Sequence, residues 1–78
     1  MPTVRVTVFK NGRPSAGRRV TLEFERLLGG GFSNSQNTDQ NGQVFFQVEY
    51  GESGTVYVDG SRRGKWGSYH NTDVTVHL

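Results

Sequence analysis

NTDQNGQVFFQV, residues 37–48, decides the fold, because it can be read in two incompatible ways. Asp39, Asn41 and Gly42 begin like a calcium loop. Such loops need about six oxygens, with a bidentate acid near position twelve. Here position 43 is Gln43, and the acid's place falls on Tyr50, with Glu49 beside it. From Val44 the residues alternate between apolar and polar, so a strand begins where later ligands are needed. The stretch is therefore a turn with glycine in the left-handed position, feeding a strand.

Working outward, the same alternation recurs. Val4, Val6 and Val8 share one face of the first strand, against Arg5, Thr7 and Phe9. Val20, Leu22 and Phe24 form a second apolar set, and Val44, Phe46 and Val48 a third. Val56 and Val58, then Val74, Val76 and Leu78, complete the series. Period two with β-branched residues is the signature of half-buried strands. These residues are the expected core.

The segments between carry turn residues: NGRPSAG (11–17), GESG (51–54) and DGSRRGKWG (59–67). The last is read as a loop because its glycines and cations interrupt the alternation. LLGGGFSNSQ (27–36) is the longest irregular piece, with one short strand expected around Phe32 to Gln36. No segment has helical periodicity. The expectation is a single domain over 1–78, all-β, an antiparallel β-sandwich of about seven strands.

Seventy-eight residues bury only a small core, and no cysteine reinforces it. Two histidines do not make a histidine-rich metal site. No cofactor and no metal are expected. No apolar run reaches the roughly 20 residues of a membrane helix, and no membrane partner is expected. The net charge of +2 is too small to identify nucleic-acid binding by itself. Lack of cysteine is compatible with the cytosol and with bacterial export, and an extracellular or cell-surface module of a larger protein is the favoured placement.

A family resemblance follows from three motifs. Gly12, Pro14, Gly17 and Val20 fit G-x-P-x-x-G-x-x-V; Thr38, Asp39, Asn41, Gly42 and Phe46 fit T-D-x-N-G-x-x-x-F. Gly54, Val56 and Val58 fit a G-x-V-x-V strand. Over residues 3–60 the order resembles carboxypeptidase regulatory-like domains, which are transthyretin-like (prealbumin-like). A glycine common in the family's first strand is missing, and SRRGKWGSYHN (61–71) matches no part of the pattern. The resemblance implies a seven-stranded sandwich used as a non-catalytic accessory, adhesive or spacer module.

Catalysis lacks a frame. His70 and His77 stand in no nucleophile motif, and Glu23 and Glu25 share a solvated strand face. Binding is better represented. Outward parity exposes Phe9, Phe45 and Tyr57, while Trp66 and Tyr69 fall in the last loop. A protein partner or self-association is the first expectation. A carbohydrate stacking on Tyr57, Trp66 and Tyr69 is the second. A nucleic acid or other anionic polymer on Arg62, Arg63 and Lys65, with the aromatics of 62–69, is the third. Against these stands the bland alternative that Trp66 folds over a sheet edge as extra core.

Overall fold

A computed structural model describes residues 1–25 and 30–78. The strands are β1 (Thr3–Lys10), β2 (Arg13–Pro14), β3 (Arg19–Phe24), β4 (Gly31–Phe32), β5 (Gln36–Asn37), β6 (Gln43–Gln47), β7 (Ser53–Val58), β8 (Ser61–Gly67) and β9 (Asp73–His77). Among the described residues there is no helix. The strands form two sheets, one of β2, β1, β6 and β9, the other of β4, β5, β3, β7 and β8.

The apolar faces of both sheets feed one cluster: Val4, Val6, Val8, Val44, Phe46, Val48, Val74 and Val76 from the first, and Val20, Leu22, Val56, Val58 and Trp66 from the second. Phe24 and Leu78 pack against it, partly buried. Every residue assigned to the core by alternation is thus in the cluster or against it. Trp66 is the addition.

The strand count and polarity differ from the expectation of about seven antiparallel strands. Several segments are two-residue pairings, which apolar periodicity cannot reveal. Phe32 to Gln36 is not one strand: β4 and β5 lie at either end of it, each pairing separately with β3. Residues 26–29, which include the start of the expected irregular piece, lie outside the described residues. Among the described residues all strand pairings are antiparallel except β1 with β9, which is parallel. The long path from β1 through the other sheet allows β9 to return in the same direction, since a parallel pair needs a crossover. Arg5 fastens this pair, its guanidinium clasping Asp73 through both Nε (3.1 Å) and Nη2.

Two motifs of the family resemblance meet in space. Gly42 N–H closes the turn on Asp39 C=O (2.9 Å) with Gly42 at φ 74°. Asp39 Oδ1 accepts from the N–H groups of Asn41 (2.8 Å) and Gln43 (3.0 Å). That carboxylate is committed to its own turn. Thr38, buried, donates its hydroxyl to Ser15 C=O (2.6 Å) and accepts from Arg18 N–H (2.9 Å). Gly42 C=O receives Val8 N–H at 2.7 Å. The turn is therefore docked onto the 15–18 link, and a Cβ at Gly42 would stand 2.6 Å from Val8 O.

Candidate functional site

β8 overturns the reading of 62–69 as a basic-aromatic loop. Asp59 (φ 50°) and Gly60 (φ 83°) form a two-residue hairpin turn between β7 and β8. Positive φ at both positions is what the tight hairpin requires, and Asp-Gly is a favoured pair for it. Tyr57 then pairs with Arg62, but Val56 pairs with Gly64, so Arg63 is an extra residue in the ladder. This bulge resets the face of every later side chain. Without it, alternation from Ser61 would aim Arg63 and Lys65 at the core and Trp66 at solvent. With it, Gly64 covers Val56, Lys65 points out, and Trp66 turns in to 2 % exposure.

Trp66 is held on three sides. Its Nε1 donates to Glu23 C=O (3.0 Å), and Phe24 meets it edge-on at 5.3 Å. Gly54, its cross-strand partner, leaves room for the indole; a Cβ there would stand 3.0 Å from Nε1. Trp66 is consequently no exposed sugar platform. Its residue at the surface is a share of the floor of a cleft.

That cleft, of about 350 Å³, is lined by Gly51, Glu52, Ser53, Trp66 and the 67–71 link. Ser68, buried, closes it from within. Its hydroxyl accepts from Gly51 N–H (2.7 Å), and its N–H donates to Glu52 C=O (2.9 Å). These bonds fasten the β6–β7 turn to the β8–β9 link. As a result Tyr50 and Tyr69, both about two-thirds exposed, stack with centroids 5.7 Å apart. Glu52 is partly ordered by its own turn, accepting from Glu49 N–H at 2.8 Å.

The sequence-derived site residues divide into two places. Tyr69 and Trp66 belong to the cleft. Tyr57, Arg62 and Arg63 lie toward the Asp59–Gly60 turn, where Tyr57 meets Phe32 at 5.8 Å. Lys65 is drawn off into an ion pair with Glu25 (3.0 Å). Tyr57 and Phe45 do not pair across strands, since they stand on different sheets. Tyr50 was missed by sequence reasoning, although an aromatic between a strand end and the GESG turn was a usable signal. Among the described residues no group of three or more His, Cys, Asp or Glu could hold a metal. No family model, curated protein or solved structure matches the chain.

Proposed function

We propose that the chain is a non-catalytic interaction module, a transthyretin-like β-sandwich that engages a protein partner through the cleft at its loop end. The observation that carries the reading is the stacked Tyr50–Tyr69 pair, two large exposed rings brought together from separate loops. Rigid tyrosines beside an open concavity are the usual anchors of a protein contact. The docking of the Thr38–Gly42 turn on the Gly12–Gly17 link gives the family resemblance a physical basis. The shared core of the two sheets supports the sandwich assignment.

Carbohydrate is the second reading, favoured by the polar groups of Glu52, His70 and Asn71 beside the rings. Panning a peptide display library and probing a glycan array test both. Selected peptides should lose binding on Tyr50→Ala or Tyr69→Ala and keep it on Phe45→Ala. Glycan hits with that same dependence, and no such peptides, would replace the protein reading. Ligands indifferent to both tyrosines would remove the cleft from consideration. A hydrolytic activity abolished by His70→Ala would overturn the non-catalytic assignment.

A further inference from the structure

We infer that the outer face of the β3–β7–β8 sheet binds single-stranded nucleic acid, with bases on Phe32 and Tyr57 and phosphates on Arg19, Arg62 and Arg63. Tyr57 is central to this face. Thr21 of β3 is its neighbour on one side and Arg62 of β8 on the other. The bulge adds Arg63, exposed and next to Arg62 on the same strand. Phe32, 63 % exposed, contacts Tyr57 edge-on at 5.8 Å. Arg19 Nη2 lies over the Gly60 turn, 3.6 Å from where a Cβ would stand.

The cations here are available. The nearby acid Asp59 is already engaged by Arg18 Nη1 (3.1 Å) and Arg19 N–H (3.1 Å). Among the described residues Arg62 and Arg63 take part in no ion pair. Edge protection explains cations on β8, an outermost strand. It does not explain an exposed Phe32 packed against a half-buried Tyr57 beside them. An apolar partner would cover the rings but bury the arginines unpaired, at a desolvation cost. A ligand bearing both flat bases and phosphates satisfies the two together. Duplex DNA hides its base faces and offers only the phosphates. Glu23, in register with Phe32, bounds the favourable strip at its far end.

The test is fluorescence anisotropy with labelled oligothymidylate on the full chain, across a salt series. Three phosphate contacts on a single strand give a slope of log K against log salt of about −2. Phe32→Ala or Tyr57→Ala should weaken binding by roughly tenfold, as loss of one stacked base does. Arg62→Gln with Arg63→Gln should flatten the slope by about 1.4. Trp66 emission confirms that each variant stays folded. The proposal falls if no binding is detected at low salt. It also falls if polyglutamate or duplex DNA competes equally while Phe32→Ala changes nothing. Because it does not involve the cleft, Tyr69→Ala should leave oligothymidylate binding intact, so the two sites are tested separately.

Discussion

Deleting Arg63 should leave Trp66 in the core. The deletion removes the one residue without a partner in the ladder, so Gly64, Lys65 and Trp66 keep Val56, Thr55 and Gly54 opposite them and keep their faces. A slip in phase would instead expose the indole. A tryptophan side chain buries about 150–250 Å². At about 25 cal/mol per Å² its exposure would cost about 4–6 kcal/mol. Loss of the Nε1 bond to Glu23 C=O would add about 1 kcal/mol. A chain of this length holds about 4–12 kcal/mol in all, from 0.05–0.15 kcal/mol per residue. A slip would therefore remove half or more of the stability, whereas loss of the bulge alone leaves the indole and its bond in place. Trp66 is the sole tryptophan, so emission and iodide quenching read its environment directly. Wild type and the deletion variant should both emit as a buried indole and resist quenching, with urea midpoints close together. Arg63→Ala keeps the extra residue and should change stability by no more than about 0.5 kcal/mol. Red emission, iodide access and a large fall of the midpoint in the deletion variant would refute the bulge argument.

Acid stability should depend on two surface carboxylates. Arg19 N–H, then the side chain and charge of Arg18, hold Asp59 below its ordinary value; the hydrogen bond and charge of Arg5 do the same for Asp73. Groups depressed in the folded state contribute stability above the unfolded carboxylate value, about 3.9, and lose it as pH falls through the folded value. The urea midpoint should therefore drop below about pH 4, and drop less in Asp59→Asn/Asp73→Asn, with a small amplitude because both are exposed and screened. An equally steep fall in the double variant would reject that assignment. Gly42→Ala should cost clearly more than Gly12→Ala in urea unfolding. Both positions have positive φ, a strain of about 1–2 kcal/mol, but only Gly42 faces Val8 O and Ser15 N within 3.0 Å. Equal losses would mean that the turn is not pressed against β1.

What the sequence disclosed was phase. Wherever apolar residues fell on every second position, as in Val4–Val6–Val8 or Val74–Val76–Leu78, their faces followed without further information. β8 was illegible for the opposite reason. One inserted residue shifts its phase midway, and its sole buried member stands among cations and glycines. The Asp59–Gly60 pair was a hairpin signal, but a hairpin fixes only the first pair and cannot announce a bulge four residues later. The cleft was hidden differently. Tyr50 and Tyr69 come together through Ser68, a buried hydroxyl whose partner is the Gly51 N–H, 17 residues away, and no composition rule points to it.

Arg63 links the inside of this protein to its outside. Its backbone is the extra residue that the bulge absorbs, which keeps Trp66 beneath the sheet; its cation is exposed on the same strand, next to Arg62, the partner of Tyr57. The first role depends on the backbone and not on side-chain chemistry, while the second depends on charge alone. Arg63→Glu should therefore leave Trp66 emission and the unfolding midpoint nearly as in wild type. The same substitution replaces a phosphate contact with a repulsive charge, so oligothymidylate binding should fall and its salt slope should flatten. If Arg63→Glu also exposed Trp66, the guanidinium would be holding the bulge in place, and the separation of fold from recognition argued for β8 would fail.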